Sequence, residues 1–426
     1  MRKIAVALVL VVAACGGEAT PSTTVPASST STVSPSTTTT TSVDTVPTTS
    51  TTTTTTAPVS TPPAALGRDE IPWAEVGPGW YVALYDASLY DPEVGWVADG
   101  PSLLYLVSGA GDLYEITEWS MGEMKPWQVL DVRDGAALVV SDAIELVDLA
   151  SGNRAVVWDP PPEEREFLVE WEAWLAATGD AVSIVRSDGA AEWVERRSLQ
   201  SGPVVRLFEQ SAEPYPAGLF GLDLPGESET VIAHRSGITL VDSAGDVVAE
   251  LWAPAESICQ PIRWWQEGVF LAVCDGQTAE SAPVNEYGPH TYYGRLWLLR
   301  TDGSEGVALT SFPGEAPIVS DFGYRNALRA GPETLVQWRG DCGAAGVARL
   351  GANGPIDFVQ VESPASWTPM GVELIGTTDD SITVRAWDSC GGGFNTLFTV
   401  ALDGSLLVDL IPAGAGHVGV IDAWAL

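Results

Sequence analysis

The chain has 426 residues, 45% of them hydrophobic, with 56 acidic against 20 basic side chains and a formal net charge of −36. That apolar share excludes disorder throughout and suffices for one large folded domain or two medium ones. The charge argues against nucleic acid as a partner, because phosphate binding needs clustered Lys and Arg, and the only lysines are Lys3 and Lys125.

The first element is a leader. Arg2 and Lys3 precede an apolar run over residues 4–12, and Val12-Ala13-Ala14 sets small residues ahead of Cys15. The run is too short for a permanent membrane span. The segment resembles a bacterial lipoprotein signal, which implies that residues 1–14 are removed and that Cys15 carries the lipid. Residues 15–66 form the next segment, mostly Thr, Ser and Pro, with threonine at every position from 51 to 56. It has almost no apolar area to offset the entropy of ordering, so it is expected to be a tether, and its dense hydroxyls resemble an O-glycosylated stalk.

From residue 67 to 426 the composition changes to short runs of Val, Thr, Trp and Tyr bounded by Gly, Pro, Asp and Ser, with folding expected from about Ile71. Turn glycines recur at Gly111, Gly152, Gly202, Gly245, Gly303, Gly354 and Gly404, 41 to 58 residues apart. That is the period of a radial array of small sheets. One repeat reads as four strands over residues 127–134, 136–141, 143–150 and 154–158. The first repeat offers only three, over residues 80–85, 103–107 and 113–118. A single run is left over at residues 417–425, and pairing it with the first repeat would close a ring without exposed sheet edges. The expectation is an all-β, seven-bladed β-propeller of four-stranded blades.

The third strands Ile144-Glu145-Leu146-Val147-Asp148-Leu149 and Leu296-Trp297-Leu298-Leu299-Arg300-Thr301-Asp302-Gly303, with Trp-Asp pairs at Trp158-Asp159 and Trp387-Asp388, resemble TolB-type and WD-repeat-like propellers over about residues 71–426. With the leader and tether, the whole resembles an actinobacterial-type envelope lipoprotein.

After Cys15 four cysteines remain, an even number that reads as two disulfides in an exported body. A blade places the start of its first strand beside the end of its second, which favours Cys259 with Cys274 and leaves Cys342 with Cys390 as a clip between neighbouring blades. Other pairings stay open. The same rim receives the long connection over residues 276–294, with Tyr287, His290, Tyr292 and Tyr293. Trp264, Trp265, Asp275, Trp338, Arg339, Asp341 and Asp388 are expected nearby. Aromatic faces with carboxylates and an arginine suit a glycan or a peptide segment, although most tryptophans of a propeller pack between blades.

Catalytic patterns are sparse. His234, His290 and His417 do not share a motif, no Gly-x-Ser-x-Gly elbow occurs, and no cofactor or metal is expected. The reading is a monomeric, membrane-anchored binding or scaffold module for an envelope protein or glycan, attached to the membrane by its lipid alone. The alternative is a glycan-active hydrolase or lyase using Asp275, Asp341 and Asp388.

Overall fold

The computed structural model describes residues 62–91, 95–161, 172–200, 202–212, 218–225, 228–255, 257–275, 294–310, 323–340, 344–351, 356–364, 368–388, 394–412 and 417–426. These belong to one compact unit. Apart from a 3-10 turn at Arg68–Glu70, the named elements are strands.

The chain opens with β1 (Tyr81–Asp91), β2 (Gly95–Ala98), β3 (Ser102–Val107) and β4 (Leu113–Trp119). Four separate antiparallel sheets follow. The first is β5 (Gln128–Arg133), β6 (Ala136–Val140), β7 (Ile144–Asp148) and β8 (Arg154–Trp158); the second is β9 (Ala173–Leu175), β10 (Ala181–Ser187), β11 (Ala191–Ser198) and β12 (Val205–Ser211). The third is β13 (Phe220–Asp223), β14 (Thr230–His234), β15 (Gly237–Val241) and β16 (Val247–Leu251), and the fourth is β17 (Cys259–Gln266), β18 (Val269–Asp275), β19 (Gly294–Arg300) and β20 (Val307–Ala308).

The remaining strands join in one thirteen-stranded sheet. Two of its meanders are β21 (Tyr324–Ala330), β22 (Glu333–Arg339), β23 (Ala345–Leu350) and β24 (Ile356–Phe358), then β25 (Gly371–Thr377), β26 (Ser381–Trp387), β27 (Asn395–Ala401) and β28 (Leu406–Ile411). The third runs β29 (His417–Ala425), β1, β3, β4, with β2 attached to β1. Single parallel bridges, Ala345 to Gly371 and Asn395 to Gly419, link these meanders into one sheet. The fold is an all-β propeller of four-stranded blades, each named below by its first strand. The C-terminal strand closes it: Val82 lies opposite Trp424 and Leu84 opposite Asp422.

Each blade is buried on both faces, because alternate residues of a strand point to opposite neighbours. Val82 and Leu84 join the apolar cluster shared with the β5 blade. Tyr81, Ala83 and Tyr85 join the one shared with the β25 blade. β3 is therefore buried at every position, whereas an outer strand such as β8 is exposed over its first three residues.

The turn glycines have a second reason to recur. Gly152 (φ 69°) and Gly404 (φ 91°) take the left-handed conformation, and a Cβ there would also collide with the carbonyl oxygens of Ile116 and Gln360, on the neighbouring blade. Gly202 departs from the expectation and has no left-handed φ; Gly354 lies outside the described residues. β1 is longer than expected and continues into a hairpin with β2. Its extension is held by Ala87 N–H donating to Pro101 O (2.9 Å) and Gly100 N–H donating to Ser88 Oγ (3.1 Å). Backbone pairing also begins earlier than Ile71: Leu66 N–H donates to Leu113 O at 2.8 Å.

Candidate functional site

Among the regions that bring polar side chains together are the rim that carries the disulfide and the ring of first strands. Cys259 and Cys274 are directly opposed in the register of β17 and β18 and form a disulfide, the pairing favoured from the sequence. From there a continuous line of backbone neighbours runs along the rim. Asp275 pairs with Gly294, which bridges to Gly323. Gly323 O accepts from Arg339 N–H at 3.0 Å. Arg339 then pairs with Ala345, Ala345 with Gly371, Gly371 with Trp387, Trp387 with Asn395, and Asn395 with Gly419.

Asp275, Arg339 and Asp388 therefore occupy equivalent strand ends on three successive blades. The Arg339 guanidinium is half exposed and lies 3.6 Å from Glu373. Asp388 Oδ1 accepts from Phe394 N–H at 3.0 Å, so one oxygen shapes its own loop. Trp338 is partly buried in the cluster between the β17 and β21 blades, with its ring against Gly346, where any Cβ would clash. Tyr287, His290, Tyr292, Tyr293, Asp341, Cys342, Cys390 and Cys15 lie outside the described residues, as does the side chain of Asp275.

Trp264 and Trp265 require a correction. β17 starts at the disulfide rim, and Trp264 lies opposite Phe270 beside the turn to β18. At roughly 3.3 Å per residue, both tryptophans are on the order of 15–20 Å from Cys259, at the other end of the blade. Trp264 packs toward the β13 blade and Trp265 toward the β21 blade. The two remaining described histidines are satisfied strand residues. His417 Nδ1 meets Tyr85 Oη at 2.9 Å, and His234 Nε2 meets Thr239 Oγ1 at 2.7 Å. Burial lowers the pKa of each. Among the described residues no group of His, Cys, Asp or Glu is placed to hold a metal ion.

The first strands carry a polar device that the sequence reading overlooks. Each of β29, β5, β17, β21 and β25 has a bulge. The residue after the bulge faces the next blade where its role is clearest: Asp422 in Val420-Ile421-Asp422 and Asp131 in Val129-Leu130-Asp131. Asp422 Oδ2 accepts from Val129 N–H at 2.7 Å, and Asp131 Oδ2 accepts from Leu175 N–H at 2.9 Å. Each carboxylate thus satisfies a backbone donor on the first strand of the following blade.

Asp422 belongs to a larger ionic group. Arg385 Nε donates to Glu373 Oε2 at 2.9 Å and Arg385 Nη2 lies 2.6 Å from the same oxygen; Nη1 donates to Ile421 O. Burial pushes the Asp422 carboxyl up to about 6, against the pull of Arg385. For Glu373 burial acts the same way, but Arg385 and Arg339 outweigh it and hold the pKa below the usual range.

In β17 the equivalent triplet is Pro261-Ile262-Arg263. Arg263 stands where β29 and β5 place a carboxylate; the same position is Asn326 in β21 and Gly376 in β25. Its Nε is sealed from solvent without a hydrogen-bond partner, although the side chain as a whole is part exposed. Burial pushes its pKa down to about 10.

No known protein family matches the chain, and no curated protein sequence does. Solved structures do. A protein from Lactobacillus plantarum is similar at 14% identity and a TM-score of 0.45, over 81% of this chain and 99% of that one. An oligogalacturonate lyase in complex with manganese is similar at 15% identity and 0.44, over 72% and 83%. TolB from Acinetobacter baumannii is similar at 10% identity and 0.35, over 81% and 83%. At these identities and scores no ligand or activity passes from those proteins to this chain.

Proposed function

We propose that the chain is an extracytoplasmic binding or scaffold module, a monomeric seven-bladed propeller that recognises a protein segment or an envelope glycan on its disulfide-bearing rim. The observation that carries this reading is the continuous rim line from Asp275 through Arg339 to Trp387, next to Asp388. It aligns charged and aromatic strand ends on three successive blades beside the long connection over residues 276–293. Such a surface is broad, and polar groups on it orient a ligand while rings supply contact area.

The count of seven is supported by four separate four-stranded sheets plus three meanders in the larger sheet. The first strands also succeed one another cyclically as β29, β5, β9, β13, β17, β21 and β25. Export is supported by the Cys259–Cys274 disulfide, since structural disulfides persist in oxidising compartments. In this reading Cys15 carries the lipid, residues 15–66 form the tether, and the body starting at residue 67 stands off the outer face of the membrane.

The test uses the full-length protein, immobilised and presented with purified envelope polysaccharide and with unstructured peptides from exported proteins. The wild type is expected to retain one of them, and Arg339→Ala to weaken retention at least tenfold. Equal retention by Arg339→Ala would remove the rim from the account. Mass spectrometry of Cys15 and membrane release by Cys15→Ser check the anchor separately.

A further inference from the structure

We infer that the junction between the first strands β17 and β21 binds a small monocarboxylate, with Arg263 as its principal anchor and Trp265 and Arg329 beside it. This goes beyond rim recognition and concerns residues away from that rim.

The first observation is a reversal of charge at one position of the bulged first strands, which is an aspartate in β29 and β5, Asn326 in β21, Gly376 in β25 and Arg263 in β17. Asp422 and Asp131 each use the position after the bulge to accept a backbone N–H from the next blade. Arg263 occupies the same position in β17 and lies opposite Leu271, a residue of the apolar cluster shared with the β21 blade. Side chains opposite one another in a sheet share a face, so Arg263 points at that blade. A guanidinium cannot accept the hydrogen bond its counterparts accept.

The second observation is the lack of a counter-charge. Arg186, Arg196 and Arg385 are each paired with a carboxylate. Among the described residues Arg263 has no such partner, and its Nε is buried and unbonded. In a chain with 56 acidic residues, an acidic neighbour was readily available. Leaving a charge desolvated and unpaired is costly, and a bound anion removes that cost.

The third observation is a further set of donors at the same junction. Trp265, two residues along and packed in the same cluster, has a buried Nε1 without a partner. Arg329 of β21 holds its guanidinium 4.8 Å from the Trp265 ring centre, and its Nη2 donates to Gln266 Oε1 at 3.1 Å. Side chains of both first strands meet at this junction, Ile262 and Trp265 of β17 with Tyr324 and Ala327 of β21.

The donor set selects the ligand class. A guanidinium presents paired, parallel N–H donors that match the two oxygens of a carboxylate. A net charge of −36 repels dianions and polyanions more strongly than a single charge. The apolar cluster and the indole ring adjoin the charged end, so a ligand with a small non-polar body is favoured over a strongly hydrated one.

The experiment is a thermal-shift and calorimetric titration of the full-length protein with acetate, glucuronate and N-acetylglycine, each beside its neutral amide. At least one acid is expected to raise Tm by about 2 °C or more, and its amide to have no effect. Which acid works separates a free small acid, a sugar acid and a peptide terminus as the natural source. Arg263→Met should lose at least tenfold in affinity while keeping a native circular dichroism spectrum. Arg206→Gln, which removes an exposed arginine paired with Glu209, serves as the charge control and should bind as wild type. No response to any acid at 10 millimolar, on the order of a weak Kd, overturns the inference. So does undiminished binding by folded Arg263→Met. Arg339→Ala tests the rim independently, so the two accounts fail separately.

Discussion

The junction of β29 with β5 and the junction of β17 with β21 are built from the same parts and reach opposite electrostatic outcomes. At the first, Asp422 accepts the Val129 N–H and sits within reach of Arg385 and Glu373, so charge and hydrogen bonding are both met inside the protein. At the second, Arg263 brings a charge with no acceptor and no acid among the described residues. Yet β17 carries the disulfide at its start. That bond crosslinks two strands of one blade and leaves the junction with β21 to packing, so the contrast teaches that one position of the first strand can either tie two blades together, as Asp422 does, or carry an unpaired donor group, as Arg263 does.

The largest expected effect comes from breaking the satisfied junction. Asp422→Ala leaves the Val129 N–H and part of the Arg385 charge unmet, and should cost about 3–5 kcal/mol in urea-unfolding free energy. A loss below about 1 kcal/mol would mean that the carboxylate does not fasten the blades. Next, Cys259→Ser opens a crosslink spanning a sequence separation of 15 residues, and should cost about 3 kcal/mol under oxidising conditions. The difference from wild type should vanish in reductant, and a deficit that persists there would place the effect in packing instead.

A smaller change of opposite sign is expected at the unsatisfied junction. Arg263→Met exchanges an unpaired, partly buried charge for an apolar side chain of similar length and should stabilise the ligand-free protein by about 1 kcal/mol. Destabilisation there would show that Arg263 has a partner in the folded protein. The smallest effect concerns pH. Asp422 has a folded-state pKa of about 6, above the unfolded value of about 3.9. Between these values the unfolded chain binds fewer protons, so this group makes stability fall as the pH rises from about 4 to about 6. His234 and His417, with lowered pKa values, act in the other direction: their contribution is lost as the pH falls below about 6.5. Asp422→Asn should remove the first slope and leave the second, as read from Tm against pH.

Much of the architecture was legible in the sequence because single residues carry several constraints. Gly152 and Gly404 mark tight turns and also close contacts with the neighbouring blade, so their spacing follows the blades themselves. The strand over Arg154–Trp158 and the closing strand over His417–Ala425 match the expected bounds, because each is isolated between clear turn residues. The β1–β2 hairpin was hidden by Pro92 and Gly95, which interrupt the apolar alternation.

The site was less legible. Trp264 and Trp265 look close to Cys274 in the linear chain, but following β17 from its cysteine end places them at the far end of the blade. Arg263 could have been found by aligning first strands on their bulges. Val-Leu-Asp and Val-Ile-Asp then stand above Tyr-Arg-Asn, Leu-Ile-Gly and Pro-Ile-Arg, and the single cation at the third position becomes visible. The pairing of Asp131 and Asp422 with backbone donors on a different blade leaves no pattern in neighbouring residues, since it depends on strands that meet only in three dimensions.

The pairing of β1 with β29 also sets a timetable for biosynthesis. Residues 81–91 emerge from the ribosome long before their partner, residues 417–425. Through most of translation the early strand has an uncovered flank that can recruit a neighbouring nascent chain. The flank stays open until residues 417–425 are available to cover it.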